Sequence, residues 1–237
     1  MNLVDLTWLD ASRLDDRDVA GAVAVLEAAR AVDRPYHIAK TVTSFTGFVR
    51  YGWDYPPHVA VARDGRGRVT GVLVVLLPDW DNTHAGAVDV TVDPAVRRQG
   101  LGRRLFRAGA DRLRAAGRTL LLANCPDHSA GVPFAKAMGL EQAFADVHRR
   151  QDLLAVDWVR LDREYGWQLD TSVRRGHRGH RLGLLLKIAM LRWLAEEEPQ
   201  LRTIDTGNAA SNSHMIKVNE ILGYQAVSKG TGWQRRL

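Results

Sequence analysis

The sequence contains little cysteine, little lysine and no long apolar run. Cys125 is the only cysteine among 237 residues, which excludes an intramolecular disulfide and a metal site built on several cysteines. No segment approaches the roughly 18 consecutive apolar residues that a membrane-spanning helix needs. The first residues also lack the basic and apolar regions of a signal peptide. We therefore expect a cytoplasmic protein that does not enter a membrane.

Basic residues outnumber acidic ones, and almost all of them are arginine. Only five of the 33 Lys and Arg residues are Lys, and the formal net charge is +6. Arginine binds phosphate through paired hydrogen bonds, although a GC-rich genome produces the same bias. The arginines are scattered, and no RRM, zinc-finger or basic-zipper pattern is present. The charge therefore favours an anionic small molecule over nucleic acid as the partner.

One sequence feature occurs twice. The segment Asp89–Gly102 reappears, altered, as Asp170–Gly183. In each copy an apolar strand runs into a basic, glycine-bearing turn, and a helix begins at Leu101 or Leu182. The first N–H groups of a helix have no partner within it, and together with the helix dipole they favour phosphate. The repeat therefore predicts a duplicated site for a nucleotide-type cofactor.

Hydrophobic periodicity predicts a mixed α/β sheet in the first copy. Over residues 1–154 the order is β-α-β-β-β-α-β-α-β, with an irregular or partly helical aromatic segment at 33–57. The second copy repeats only the later strand-turn-helix-strand-helix-strand part, displaced by 81 residues at the helix start. We therefore predict a complete domain over 1–154, a short connector over 155–165 and a partial second domain over 166–237.

The partial second copy lacks the hairpin that flanks the corresponding strand of the first copy. Its apolar faces and strand edges are therefore left uncovered by its own sequence. We expect this half either to pack on the sheet of the first domain or to pair with a second chain as a homodimer.

The turn of the first copy carries a recognisable motif. Its residues, Arg97-Arg98-Gln99-Gly100-Leu101-Gly102, fit R-x-x-G-x-G, whereas neither the Rossmann nor the P-loop glycine pattern occurs. Placed between a valine-rich strand and an amphipathic helix, the motif resembles that of the GNAT-type N-acetyltransferases. Together with the partial repeat, the chain most resembles tandem-GNAT bacterial proteins. The resemblance implies a GNAT acyl-CoA N-acyltransferase fold and transfer of an acetyl group from acetyl-CoA to a primary amine of a small molecule. It implies no metal.

The resemblance also implies which residues hold acyl-CoA. The turn would bind the pyrophosphate and the preceding strand the pantetheine arm, so the implied residues of the first copy are Val90, Val92, Arg97, Arg98, Gln99, Gly100, Leu101 and Gly102. Those of the second copy are Arg178, Gly179, His180, Gly183, Asn208 and Asn212. Asn212 is also a natural helix cap. Arg181 replaces the first glycine of the motif, which favours the first copy as the acyl-CoA site.

Acetyl transfer requires a neutral amine, a donor for the thioester oxygen and a proton for the leaving thiolate. By resemblance the catalytic candidates are Asp89 and Asp170, as base or amine anchor, and Asn124. Many family members supply the proton from a tyrosine on the last helix, where this chain has Ala135 and Asn219. That departure leaves two alternatives: a non-catalytic acyl-CoA-binding protein or degenerate tandem GNAT and, less favoured, a basic nucleic-acid-binding module.

Overall fold

The computed structural model describes residues 5–52, 55–152, 165–168, 171, 173, 175–177 and 179–237. Within them the chain forms two compact units, Met1–Ala143 with Thr231–Leu237, and Phe144–Gly230. No helix in these ranges is long and apolar enough to cross a membrane. Two of the predicted site residues, Asp170 and Arg178, lie outside the described residues.

The first copy has the element order that its periodicity predicts, with two helices after the first strand. The elements are β1 (Asp5–Trp8), α1 (Asp16–Asp33), α2 (Val42–Tyr51), β2 (His58–Arg63), β3 (Val69–Leu76), β4 (Ala85–Val92), α3 (Leu101–Ala115), β5 (Leu120–Pro126), α4 (Gly131–Ala137) and β6 (Glu141–Asp152). Helix α2 lies in the aromatic segment and begins with a capping box, in which Thr41 and Ser44 satisfy each other's backbone N–H.

The second copy contributes three strands and two helices to the described residues. These are β7 (Tyr165–Gln168), α5 (Leu182–Glu197), β8 (Thr203–Ala209), α6 (Ser213–Ile221) and β9 (Gln225–Arg236).

The first unit is built on a mixed sheet with the strand order β1-β2-β3-β4-β5-β9. Pairing is antiparallel from β1 to β4 and parallel between β4 and β5. The last residues of the chain complete this unit: the Leu237 N–H donates to the Thr119 carbonyl at 2.9 Å. Arg235 donates to the Met138 carbonyl at 2.6 Å, and Trp233 is 3% exposed in the core.

Helix α3 packs closely on the sheet of the first unit. A β-carbon on Gly71 of β3 would lie 2.9 Å from Leu105, and one on Gly109 of α3 would lie 2.8 Å from Val88. The absence of these side chains lets helix and sheet approach, and a core containing Leu105, Leu113 and Leu121 fills the rest of this face. The packing fixes the start of α3 beside the end of β4. Helices α1 and α2 cover the opposite face, around Phe45.

The second unit has the strand order β6-β8-β7, antiparallel between β6 and β8 and parallel between β8 and β7. The repeat and the compact units therefore divide the chain differently. Residues 144–152 of β6 belong to the second unit and residues 231–237 to the first, so each unit contains a strand from the other half of the sequence. The division at 154 and 166 stays a prediction about the repeat. Its connector lies almost wholly outside the described residues.

The interior of the second unit is polar where that of the first is apolar. Aligned by the repeat, Asp205 corresponds to Leu121, 84 residues earlier, and Lys187 corresponds to Phe106, 81 residues earlier. All four residues are buried, so two charged residues replace two apolar core residues. Asp205 accepts hydrogen bonds from His148 Nε2 at 2.5 Å and from Arg150 Nε at 2.8 Å. Burial alone would raise the pKa of Asp205, but these two partners outweigh it and lower that pKa to about 2.

Lys187 belongs to a second polar group in the same unit. Its Nζ donates to Gln168 Oε1 and lies 5.1 Å from the centre of the Tyr224 ring. Burial lowers the pKa of Lys187 to about 8. Burial, together with the negative charge of Asp205, raises the pKa of Tyr224 to about 12. Among the described residues no carboxylate is hydrogen-bonded to Lys187, so its charge is a cost to the folded state.

Candidate active site

The candidate site of the first unit starts where two parallel strands part. β4 and β5 pair from Ala85 with Leu120 to Ala87 with Leu122, although β4 continues to Val92 and β5 to Pro126. Beyond the last pair the two strands no longer hydrogen-bond to each other. The opening between them is the place where an extended ligand can pair with the main chain of β4.

A tightly held turn connects β4 to α3. The Asp93 side chain accepts from the Ala95 N–H at 2.9 Å and from Arg68 Nη1 at 2.8 Å. Arg98 and Gly100 then adopt positive φ angles of 65° and 85°, both in the left-handed region. Glycine enters this region without strain, whereas a residue with a side chain is held there at a cost of about 1–2 kcal/mol.

The start of α3 is open and positively charged. No side chain caps its first turn, and the first hydrogen bond into the helix is from the Arg104 N–H to the Gly100 carbonyl at 3.2 Å. Arg98, Gln99 and Arg103 are exposed around it, and a β-carbon on Gly100 would meet nothing within 4 Å. Unpaired N–H groups, a positive helix end and arginine side chains together match the chemistry of a diphosphate.

Arg97, the first residue of the motif, is bound elsewhere by its side chain. Its guanidinium donates to both carboxylate oxygens of Asp33, at 3.1 and 2.6 Å, and its Nε donates to the Val92 carbonyl at 3.1 Å. The side chain therefore ties the turn to the end of α1. Nothing in the sequence singled out Asp33 as its partner.

Two other motif residues serve the packing of the helix. Leu101 is buried in the core between α3 and the sheet. Gly102 faces α4, since a β-carbon there would lie 3.3 Å from the Phe134 ring. Val90 and Val92 are half-buried on the same face. The strand and turn residues predicted to bind the cofactor thus lie along one continuous path.

Asp89 and Asn124 flank the gap between the strands. Each stands two residues beyond the last pair, Ala87 with Leu122, and each is exposed. Side chains alternate along a strand, and the neighbours of both residues pack into the α3-side core. The structure therefore brings these two predicted residues to the opposite face, at the mouth of the gap.

Two residues in the turn of the second copy have the backbone conformation of their counterparts in the first. Gly179 and Arg181 have φ angles of 88° and 56°, at the two positions that Arg98 and Gly100 hold in the first copy. Helix α5 begins at Leu182 without a side-chain cap. Arg181 thus adopts the left-handed conformation that Gly100 has in the first copy, and the preference for the first copy as the acyl-CoA site stays a prediction.

The remaining residues of the second turn differ in exposure. His180 and Gly179 are exposed, and Gly183 is half-buried.

The asparagines of the second copy are held by one another and by the backbone. The Asn212 side chain caps α6, accepting from the Met215 N–H at 3.2 Å. Asn219 Nδ2 donates to Asn208 Oδ1 at 2.6 Å. In the first copy Ala135 is buried at the position of Asn219. Neither copy places an acid there, and the described residues contain no cluster of His, Cys, Asp or Glu suited to a metal.

The parted strands and the open turn beyond them lie in one α/β domain. Residues 24–140, which include the turn and both edges of the gap, match the model of the acetyltransferase (GNAT) family. This part of the chain is therefore a GNAT acetyltransferase domain, of a family whose members bind acetyl-CoA. No curated protein matches the sequence.

Solved structures extend the likeness in fold to almost the whole chain. A tandem GNAT protein from the clavulanic acid biosynthesis pathway is 24% identical, with a TM-score of 0.83 over 98% of each chain. A GCN5-related N-acetyltransferase from Sphaerobacter thermophilus is 11% identical, with a TM-score of 0.73 over 98% of this chain and 95% of its own.

A glucosamine N-acetyltransferase region of a fungal multidomain β-N-acetylglucosaminidase is 14% identical, with a TM-score of 0.72 over 97% of this chain and 38% of its own. The protein therefore has the fold of a tandem GNAT protein.

Proposed function

We propose that the protein is an N-acetyltransferase that moves the acetyl group of acetyl-CoA to a primary amine of a small molecule. The observation that supports this function best is the gap between β4 and β5, which leads directly to the uncapped start of α3. A ligand with an extended arm and a diphosphate matches both parts of this path.

In this proposal the main chain holds most of the cofactor. The N–H groups at the start of α3 and the exposed Arg98 bind the diphosphate, and the edge from Val90 to Val92 binds the arm. Arg97 takes part by positioning the turn through Asp33. Acetyl-CoA, when bound, supplies an acyl group activated as a thioester.

Asp89 and Asn124 act on the acceptor amine at the mouth of the gap. The carboxylate of Asp89 attracts the ammonium form and accepts its proton, which leaves the neutral amine that attack requires. The Asn124 side chain orients the amine. Asp170 and Asn208 have the same places in the repeat, and we propose the same roles for them in the second copy.

In the proposed reaction no tyrosine donates a proton to the leaving thiolate. Ala135 and Asn219 occupy the position of that acid, and neither side chain can donate a proton as an acid. We propose that the amine attacks directly, forming the C–N bond as the C–S bond breaks, and that the amine's proton reaches the thiolate through solvent.

Thiol release from acetyl-CoA over a panel of primary amines tests the function. Gly100→Glu places a negative charge at the diphosphate site and a side chain at φ 85°, so release should fall at least tenfold. Gly117→Glu is the matched control, because Gly117 follows the other end of α3, has φ 71° and would meet nothing with a β-carbon. Acetyl-CoA binding without release on any amine would instead establish a non-catalytic binding protein.

We also propose that two chains form a homodimer through α5. Leu182 and Leu186 are 38% and 54% exposed, whereas their counterparts Leu101 and Leu105 pack at Gly71 of β3. β7 corresponds to β4 of the first copy, and it is the last strand in the order of the described strands. No described strand therefore pairs with β7 as β3 pairs with β4. A second chain paired along β7 would cover both leucines. Light scattering should give a dimer for the wild type and a monomer for Leu186→Glu, and a monomeric wild type would refute this arrangement.

A further inference from the structure

Arg149 of β6 is a buried arginine whose Nη1 has no hydrogen-bond partner. The residue is 7% exposed, and its Nη1 is inaccessible and makes no hydrogen bond. Among the described residues no carboxylate forms an ion pair with it. Its neighbours in sequence differ, since His148 and Arg150 both bind Asp205. A buried guanidinium is costly unless an anion compensates it.

The strand geometry explains why Asp205 does not serve Arg149. Side chains alternate along β6, so His148 and Arg150 share one face of the sheet and Arg149 lies on the other. In the register with β8, Arg149 stands opposite Thr206, which is 2% exposed. The next pair on this face is Val147 with Asn208.

A second unpartnered polar atom adjoins Asn208. Asn219 is completely buried, its Nδ2 donates to Asn208 Oδ1 at 2.6 Å, and its own Oδ1 accepts no hydrogen bond. The second unit therefore holds two unmatched polar groups around Asn208. The charged donor is Arg149, on the same face of the sheet, and the neutral acceptor is Oδ1 of Asn219, whose Nδ2 binds Asn208. Leaving such buried groups unmatched costs each of them the hydrogen bond that water would have made.

We propose that the second unit binds a small amino-carboxylate on the face shared by Arg149 and Asn208. The guanidinium fork takes the carboxylate through paired hydrogen bonds, and Asn219 Oδ1 accepts from the amine N–H. A carboxylate matches the guanidinium of Arg149 in charge and in paired hydrogen-bond geometry. Lys187 is a second cation near this face, because it donates to Gln168, which stands opposite Thr206 in β8, so inorganic phosphate is tested in parallel. Binding at this site stands on its own, whereas a role of the ligand as acetyl acceptor rests on the function proposed above.

The stability of the free protein gives the first test. Arg149→Met removes an uncompensated buried charge and keeps much of the volume, so the unfolding temperature without ligand should rise. Arg150→Met is the matched control: it removes the adjacent guanidinium, which is paired, and should lower that temperature because Asp205 loses a partner. A lower unfolding temperature for Arg149→Met would overturn the proposal.

Ligand binding gives the second test. Each member of a panel of α- and ω-amino acids is titrated beside its decarboxylated amine and its deaminated acid, with inorganic phosphate in parallel. At least one amino acid should bind the wild type more tightly than its amine does. Arg149→Met should lower the affinity for that amino acid by roughly tenfold to a hundredfold. The deaminated acid should bind less tightly than the amino acid.

Three results would contradict the site: equal binding of every amino acid and its amine, binding unchanged in Arg149→Met, or phosphate as the ligand that depends on Arg149. Thiol release measured in the same samples separates the two proposals. Amino-acid binding that depends on Arg149 without release supports the site and counts against the acceptor role. Release that does not depend on Arg149 overturns the acceptor role of the bound amino acid and leaves acetyl transfer standing.

Discussion

The guanidinium of Arg97 binds both carboxylate oxygens of Asp33, with Nη1 3.1 Å from Oδ1 and Nη2 2.6 Å from Oδ2. Asp33 is the last residue of α1, and Arg97 opens the turn before α3. The pair is largely shielded, with side-chain exposures of 22% and 21%. Arg97 thus positions the turn, and in the proposed function the main chain and Arg98 bind the phosphate.

Replacing Asp33 distinguishes a positioning role of Arg97 from direct phosphate binding. We expect Asp33→Asn to weaken acetyl-CoA binding roughly fivefold, since about 1 kcal/mol of fixed geometry is lost. If Arg97 bound phosphate itself, removing its competing carboxylate would strengthen binding instead. Calorimetric titration of both proteins with acetyl-CoA gives the sign directly.

Arg181 carries conformational strain that glycine relieves. It holds φ 56° at the start of α5, where the first copy has Gly100. Arg181→Gly should raise the unfolding free energy by about 1 kcal/mol, measured by urea titration. Arg192→Gly, in the exposed interior of α5, is the control and should lower it by a similar amount. A loss of stability in Arg181→Gly would show that its side chain, rather than the turn, matters.

Local sequence patterns predict the elements well and their assembly less well. The strand Ala85–Val92 and the helix start at Leu101 agree with the structure, because alternation and amphipathic spacing determine them locally. The exchange of strands between the two units does not follow from such patterns, since both β6 and β9 are ordinary strands by composition. The Arg97–Asp33 pair joins residues too far apart in sequence for spacing to indicate it.

The polar interior of the second unit could have been found by comparing the two copies. Aligned by the repeat, Asp205 stands at Leu121 and Lys187 at Phe106, a replacement of core residues by charges. Periodicity alone hides this, because each charged residue sits within a strand or helix of otherwise normal pattern. Their partners, His148 and Gln168, are visible only in the folded chain.

Lys187 makes the stability of the second unit depend on alkaline pH. Its pKa is about 8 in the folded protein, below its ordinary 10.5, because burial disfavours the charge. Between these values the unfolded chain holds a proton that the folded chain lacks, so the unfolding free energy rises as pH increases from 8 to 10.5. We expect a gain of roughly 1–3 kcal/mol in urea titrations across this range.

The Lys187→Met variant should lose that rise and be more stable than wild type at pH 7. The control is Lys136→Met, which changes an exposed lysine of α4 and should keep the wild-type slope. The same alkaline rise in Lys187→Met would assign the effect to another group.

Asp205 should control stability on the acidic side. Its folded pKa of about 2 lies below the ordinary 3.8, so its contribution is complete above about pH 4 and is lost as pH falls towards 2. Asp205→Asn should lower the unfolding free energy at pH 7 by about 3–5 kcal/mol, because it removes the buried carboxylate that pairs with the half-buried Arg150 and accepts from His148. Asp111→Asn, at an exposed pair with Arg114, should change it by less than about 1 kcal/mol. Chemical unfolding at several pH values measures both, and a small effect of Asp205→Asn would contradict the network.

Calorimetric titration with acetyl-CoA of the wild type, Gly100→Glu and Gly117→Glu tests the central claim most directly. The two substitutions carry the same charge and the same left-handed strain, at opposite ends of α3. If the start of α3 holds the cofactor, the wild type and Gly117→Glu bind acetyl-CoA with similar affinity, and Gly100→Glu loses the site. Equal binding by all three proteins would contradict the account.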